Sequence, residues 1–273
     1  MEWFVLILIG LVAGTLGALI GLGGGIIVVP ALLFFGTNTS LLQGITPQVA
    51  VGTSLFIMIF TGLSSTLTYM KHKTVDYKSG LIFFMGSGPG GIVGAWVNKA
   101  LQMDEFQIYF GLFMIFVSFI LIIRGRLKPL KLKQSGIQRT FTDAKGDSYV
   151  YGYHPVLGIG MAFVVGFISG IFGIGGGSLM VPAMIVLFLF PPHVAVATSM
   201  FMIFLSAIVS SMTHISLGNV NWLYAFALVP GAWVGAKVGA FINSKLQSQT
   251  LVAILRVLLI VIGLQLIYEG LAV

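Results

Sequence analysis

The chain has 273 residues, of which 58% are hydrophobic and 8% are charged, and its mean hydropathy is +1.06. No water-soluble core needs so much apolar sequence, so we predict an all-α membrane protein with the lipid bilayer as its surroundings. The net charge of +7 does not indicate nucleic acid, because half of the 14 Lys and Arg residues lie between Arg124 and Lys145 and most others flank apolar segments. The absence of cysteine excludes disulfides and thiolate metal sites.

Ten apolar segments follow one another along the chain. They lie at about 3–20, 24–36, 46–70, 79–99 and 106–123, and then at about 154–172, 176–190, 194–216, 222–243 and 250–268. The first lacks the basic start of a signal peptide, so we interpret it as a retained membrane segment. This count predicts three parts: an N-terminal five-segment repeat at 1–123, a basic cytoplasmic connector at 124–152 and a C-terminal five-segment repeat at 153–273.

Three motifs recur in the same order in the two halves. GLGGGIIVVPA at 21–31 returns as GIGGGSLMVPA at 173–183, VAVGTSLF at 49–56 as VAVATSMF at 194–201, and PGGIVGA at 89–95 as PGAWVGA at 230–236. Matches of this length at nearly constant offsets predict that the halves are duplicates of one structural unit.

The charges of equivalent loops predict that the second half is inverted. The loop KHKTVDYK at 71–78 is basic and is expected in the cytoplasm, whereas its counterpart SLGNVNW at 216–222 carries no charge and is expected outside. Five segments per half, an odd number, place equivalent loops on opposite sides. The connector is then cytoplasmic, the loop at Asp104 and Glu105 is external, and both termini lie outside.

Each half contains a glycine run that joins its first two apolar segments without polar turn residues; we call residues 21–25 the N-terminal corner and residues 173–177 the C-terminal corner. The second segments are short for a full crossing, so we predict broken-helix hairpins with tips near the midplane. Glycine lets backbone approach a ligand, and the first amides of a helix have no intrahelical acceptor. With the helix dipole, two such ends suit one small anion between them.

The predicted substrate-binding residues at the corners are Gly23, Gly24, Gly25 and Ile26 in the first half and Gly175, Gly176, Gly177 and Ser178 in the second. The alternative is that these glycines only permit close helix packing. Thr53, Ser54, Thr198 and Ser199 complete the predicted site, because hydroxyls can donate to an oxyanion. Their alternative role is to bond their own or a neighbouring helix, and the sequence favours neither.

Ionisable residues give little indication of coupling. No Asp or Glu falls inside an apolar segment, which weighs against a carboxylate proton relay or cation site. Lys237 and Arg256 lie within apolar runs near their predicted cytoplasmic ends, where a structural role or a role in drawing anions inward is open. Ser87 in GSGPG resembles a nucleophile only superficially, because no histidine is expected at membrane depth opposite it, so no enzyme is expected. The sequence has no paired metal-ligand spacing, and neither a metal nor a cofactor is expected.

At GLGGGIIVVPALL and GIGGGSLMVPAMI, followed by VAVGTSLF and VAVATSMF, the chain resembles the TauE/SafE family of sulfite exporters and related permeases over nearly its whole length. The resemblance implies a secondary transporter in the cell membrane that exports sulfite or an organosulfonate such as sulfoacetate, with the two corners at the substrate site. A passive anion channel and an importer of a related anion are the alternatives. The coupling ion, proton or sodium, and a homo-oligomeric state are left open.

Overall fold

The structure, a computed structural model, describes residues 2–38, 42, 44–124, 136–142, 148–245 and 249–271. These residues form ten helices and one two-stranded hairpin, which confirms the all-α class. In the first half the helices are α1 (Glu2–Ile20), α2 (Gly25–Asn38), α3 (Pro47–Lys71), α4 (Tyr77–Ala100) and α5 (Met103–Arg124). The hairpin strands β1 (Ile137–Thr142) and β2 (Ser148–Tyr153) precede α6 (Pro155–Phe172), α7 (Gly177–Val186), α8 (Pro192–Ser216), α9 (Trp222–Lys245) and α10 (Gln249–Leu271).

Seven of the described helices are long and apolar enough to cross a bilayer, namely α1, α3, α4, α5, α6, α8 and α9. The two helices that follow the glycine corners are shorter, because α2 has 14 residues and α7 has 10. At ~1.5 Å per residue they span roughly 21 and 15 Å, less than the ~30 Å hydrocarbon layer. The protein is therefore a multi-pass membrane protein with one short arm in each half.

The arm of the second half ends earlier than predicted. The apolar run 176–190 predicts a helix to its end, but α7 stops at Val186 and Leu189 has a left-handed φ of +61°. Pro191 disfavours a helical conformation at the residue before it. The carbonyl oxygen of Phe188 accepts a hydrogen bond of 3.1 Å from an amide of β2. The chain thus leaves the helix to pair with the hairpin.

The central helices α3 and α8 run antiparallel, which confirms the inversion predicted from charge. Asp76 follows α3, and its amide donates to Thr198 Oγ1 near the start of α8 at 3.0 Å. Asn221 follows α8, and its amide donates to Thr53 Oγ1 near the start of α3 at 3.1 Å. Because each helix ends beside the start of the other, the equivalent loops lie at opposite ends of the pair.

Glycine faces join each half to the other. A Cβ placed on Gly86, Gly90 or Gly94 of α4 would meet the carbonyl oxygen of Ile159, Phe163 or Phe167 of α6. The glycines and the carbonyls they meet follow one another in the same order along the sequence, so α4 and α6 run parallel. Their backbones are in contact, as small residues at every fourth position allow in membrane helices. Gly231, Gly235 and Gly239 of α9 meet the carbonyls of Ile7, Leu11 and Thr15 of α1 in the same way. The two halves are therefore interleaved, with the first helix of each packed against the fourth helix of the other.

Candidate functional site at the glycine corners

Both corners are built from residues in left-handed backbone conformations. The φ angles are +84°, +86° and +94° at Gly21, Gly23 and Gly24, and +69°, +80° and +62° at Gly173, Gly175 and Gly176. A Cβ disfavours this region, so three positions in each corner favour glycine for conformational reasons alone. The shared pattern shows that the repeated sequence folds into the same turn twice.

The two corners touch each other. A Cβ on Gly25 would meet the carbonyl oxygen of Gly173, and a Cβ on Gly177 would meet that of Gly21. Met58, in the middle of α3, lies between the corners, since a Cβ on Gly23 would come within 2.9 Å of its sulfur and one on Gly175 within 2.5 Å. The starts of α2 and α7 thus converge beside the central turns of α3 and α8.

Two serines tie each corner to the opposite half. Ser54 Oγ donates to the carbonyl oxygen of Gly173 at 2.9 Å, and Ser199 Oγ donates to that of Gly21 at 3.0 Å. Both serines are fully buried. Because each hydroxyl proton is already engaged, a direct bond from Ser54 or Ser199 to an anion stays a prediction that requires the corners to separate.

Thr53 and Thr198 are also buried, but they lie at the ends of the central pair and face loops. Their Oγ1 atoms accept the amides of Asn221 and Asp76, as described above. Asn221 and Asp76 are themselves the residues that cap α9 and α4. Asn221 Oδ1 accepts a hydrogen bond from Tyr224 N at 3.2 Å, and Asp76 Oδ1 accepts one from Ser79 N at 3.1 Å. The threonines therefore position helix starts, and an additional contact with an anion stays a prediction.

Several hydrogen-bond donors at the corners have no partner. Within the described residues, no acceptor in hydrogen-bond geometry meets the amides of Gly24, Gly25 and Ile26 at the start of α2, or those of Gly176 and Ser178 at the start of α7. The Ser178 hydroxyl is fully buried and likewise lacks a partner in the described part of the chain. Buried unpaired donors are costly, about 1–3 kcal/mol each, and an anion is the ligand that would satisfy several at once.

Ser87 does not stand in a nucleophile arrangement. Its hydroxyl lies 2.6 Å from the hydroxyl of Ser206, and neither a histidine nor a carboxylate bonds it within the described residues. Of the two cations within apolar runs, Lys237 is exposed on α9 and Arg256 is half-buried on α10. The backbone carbonyl of Arg256 accepts the Ser118 hydroxyl of α5 at 3.0 Å.

Part of the predicted connector is folded. Residues 125–135 and 143–147 of the basic connector lie outside the described residues, but β1 and β2 pair from Ile137 with Tyr153 to Thr142 with Ser148. Tyr151 and Tyr153 are buried, and their rings pack against aromatic residues of α4 and of the segment after α7.

The hairpin is fastened to Asp76, the residue that caps α4. Arg139 Nε lies 3.3 Å from Asp76 Oδ2, and the Tyr151 hydroxyl donates to the same oxygen at 3.0 Å. Burial, and then the adjacent Asp76 carboxylate, raise the pKa of Tyr151, so its hydroxyl remains a proton donor. Since the Asp76 amide bonds Thr198, the hairpin is linked through one residue to the predicted site.

Replacing Arg139 with glutamine is expected to loosen the hairpin, because the mostly buried Asp76 carboxylate loses its counter-ion. The loss is roughly 1–3 kcal/mol, which corresponds to an increase of about 5- to 150-fold in hydrogen exchange at the amides of β2. Hydrogen exchange read by mass spectrometry measures it. Gln138→Ala, a change at an exposed position on the same strand, is the control, and equal exchange in both variants would contradict this role of the ion pair.

Sequence reasoning missed Ser206, Ser169 and the hairpin. Ser206 aligns with Thr61 at the offset of the second repeated motif, so the repeat does carry a signal for a hydroxyl at this position. Ser169 accepts the amide of Gly175 at 3.0 Å, but its counterpart is Gly17, so repetition gave no signal. The hairpin had a signal in the alternating Tyr149, Tyr151 and Tyr153.

Comparison with known proteins agrees with this architecture. The family described as "Sulfite exporter TauE/SafE" matches residues 6–266. The probable membrane transporter protein YunE of Bacillus subtilis (strain 168) is 60% identical over 270 residues, which cover 99% of this chain and 99% of that protein. YdhB of the same organism, also a probable membrane transporter protein, is 32% identical over 86% of each chain. The probable membrane transporter protein MJ0441 of Methanocaldococcus jannaschii is 27% identical, over 95% of this chain and 93% of its own.

Proposed function

The chain belongs to the TauE/SafE sulfite exporter family and is a membrane transporter, and from this premise we propose that it exports a small sulfur-containing oxyanion. The proposed substrate is sulfite or an organosulfonate such as sulfoacetate, held between the starts of α2 and α7. The observation that carries this proposal is the convergence of two helix N-termini that bear unpaired donors. These donors lie at Gly24, Gly25 and Ile26 on one side and at Gly176 and Ser178 on the other.

The electrostatics of the corners favour an anion over a cation or a neutral solute. Each helix N-terminus carries the equivalent of about half a positive charge, and two converging ends add their fields. No Asp or Glu lies within the corners to offset that field. Backbone amides and hydroxyls bind an oxyanion without the desolvation cost of a buried Lys or Arg, so the anion can also be released.

Release requires the corners to part, and the bonds that hold them suit a reversible step. The hydrogen bonds from Ser54 to Gly173 and from Ser199 to Gly21 are neutral, so each contributes only about 0.5–1.5 kcal/mol. When the corners separate, these two hydroxyls become available to the anion. In this proposal the same serines hold the empty site closed and contact the substrate in the loaded site.

Transport into inside-out vesicles tests the proposal. Vesicles that contain the protein are expected to take up radiolabelled sulfite or sulfoacetate saturably, and above the level of vesicles without it. Flux that does not saturate and carries currents far above carrier turnover would make the protein an anion channel instead. Saturable uptake only in right-side-out vesicles would make it an importer, and no protein-dependent flux of either anion would refute the proposed substrates.

A further inference from the structure

A small cavity with serines in its lining adjoins the C-terminal corner. Three serines line it from three different helices: Ser87 on α4, Ser169 on α6 and Ser206 on α8. Gly175 and Gly176 of the corner form another part of its wall. The cavity has a volume of about 10 Å³, at the lower limit for one water molecule. The three hydroxyls have hydrogen-bond partners within the protein, and the cavity leaves space beside them for a water molecule or part of a polar ligand.

The hydrogen bonds of the three serines leave donors available. Ser206 donates to the carbonyl oxygen of Met202 at 2.9 Å, so in its 2.6 Å contact with Ser87 the proton comes from Ser87. Ser169 Oγ accepts the amide of Gly175 at 3.0 Å, and its own proton has no acceptor among the described residues. Rotation of the Ser87 hydroxyl would move its hydrogen bond from Ser206 to a ligand. The Ser169 hydroxyl can donate to a ligand without breaking a bond.

The equivalent place beside the N-terminal corner is not polar in this way. The counterparts of Ser87 and Ser169 are Leu228 and Gly17, neither of which has a side-chain hydroxyl. The counterpart of Ser206 is Thr61, whose proton goes to the carbonyl oxygen of Gly23 at 2.9 Å. The inverted repeat therefore places three hydroxyls beside the C-terminal corner and one, that of Thr61, at the equivalent positions beside the N-terminal corner.

The start of α7 adds a fourth hydroxyl on the same side. Ser178 is fully buried and has no hydrogen-bond partner in the described residues, whereas its counterpart at the start of α2 is Ile26. A hydroxyl buried without a partner costs about 1–3 kcal/mol, so its presence at a helix N-terminus indicates a ligand that is absent in the closed form. The Ser178 hydroxyl and the free amides at the start of α7 can donate to an oxyanion.

We propose that Ser87, Ser169 and Ser206 form the recognition wall of the substrate site, so that the anion's oxygen atoms bind towards the C-terminal half and not midway between the repeats. This inference rests on the proposed function and adds to it the side chains that bind the oxygen atoms of the anion. The cavity of about 10 Å³ is the closed form of this wall. It widens to admit an anion of four or more heavy atoms when the C-terminal corner moves away from α8.

Single substitutions test the wall by affinity. In the full-length protein in lipid nanodiscs, calorimetric titration with sulfite and with sulfoacetate gives the dissociation constant of the anion that the wild type binds. Ser87→Ala, Ser169→Ala and Ser206→Ala are each expected to weaken it about tenfold or more, as expected for hydrogen bonds to a charged group. Ser118→Ala removes a fully buried hydroxyl that bonds Arg256 and does not line the cavity, and is expected to change affinity less than twofold.

A second variant separates recognition from folding. Ser169→Cys nearly keeps the side-chain volume but replaces a strong donor with a weak one, so it is expected to fold as the wild type and still lose affinity about tenfold. Wild-type affinity in Ser169→Cys and in the alanine variants, together with loss of binding in Gly177→Ala, would overturn the serine wall and leave the corners as the site. Absence of binding of either anion to the wild type would overturn the proposed function and this inference with it.

Discussion

Replacing Gly177 with alanine is expected to reduce transport at least a hundredfold. The added Cβ would meet the carbonyl oxygen of Gly21, and the Ile203 side chain lies 2.9 Å from the same position. A carbonyl oxygen is backbone and cannot be moved by a rotamer change, so the two corners must separate. A displacement of about 1 Å at a binding site costs roughly two orders of magnitude in rate. Uptake of the labelled anion into inside-out vesicles, corrected for the amount of folded protein, measures the loss.

Gly160→Ala is the matched control for this prediction. Gly160 also lies in a helix of the second half, but a Cβ built on it meets nothing within 4 Å. Alanine there is expected to keep full transport and to raise stability by about 0.5–1 kcal/mol. Gly25→Ala, the equivalent change in the first half, should match Gly177→Ala because its Cβ meets the Gly173 carbonyl. Wild-type uptake by both corner variants would show that contact between the corners is not needed.

Replacing Gly90 with valine is expected to prevent assembly of the two halves. Gly90 lies where α4 touches α6, and a Cβ there would meet the carbonyl oxygen of Phe163 and come within 2.8 Å of the amide nitrogen of Phe167. Helices in a membrane associate through close packing rather than through the hydrophobic effect, so separating the backbones removes most of the attraction. Since α4 belongs to the first half and α6 to the second, the damage falls on the interface between them.

The yield of monodisperse protein in size-exclusion chromatography measures the effect of Gly90→Val, with a loss of at least tenfold expected. Gly88→Ala on the same helix is the control. Its Cβ would come within 3.0 Å of only the ring of Phe84, a side chain that can turn away. A Gly90→Val variant with wild-type yield and melting temperature would contradict the tight contact between α4 and α6.

The architecture could be predicted from the sequence because its signals are local and repeated. Positive φ angles at Gly21 and Gly173 follow from glycine runs between apolar segments, and the inversion follows from an odd segment count and the charges of equivalent loops. The short length of α2 and α7 follows from the spacing of their flanking loops.

Contacts between the halves could not be predicted in the same way. The bond from Ser54 to Gly173 joins residues 119 positions apart, and nothing in either motif specifies the partner. The proposed serine wall could not be predicted from the repeat, because the wall is asymmetric and Ser169 has Gly17 as its counterpart. The hairpin was hidden by the basic charge of the connector, which is also typical of an unstructured cytoplasmic loop.

The most direct test of the account is the position of the bound anion. Selenite, a heavier analogue of sulfite, can be located in crystals of the full-length protein by anomalous diffraction at the selenium edge, with natural methionine in the chain. The account predicts one strong peak between the corners and nearer to the C-terminal one, with selenite oxygen atoms within hydrogen-bond distance of the amides that begin α2 and α7, at Gly25 and at Ser178. A peak elsewhere in the protein, with none between the corners at a selenite concentration that saturates competition with sulfite transport, would contradict it.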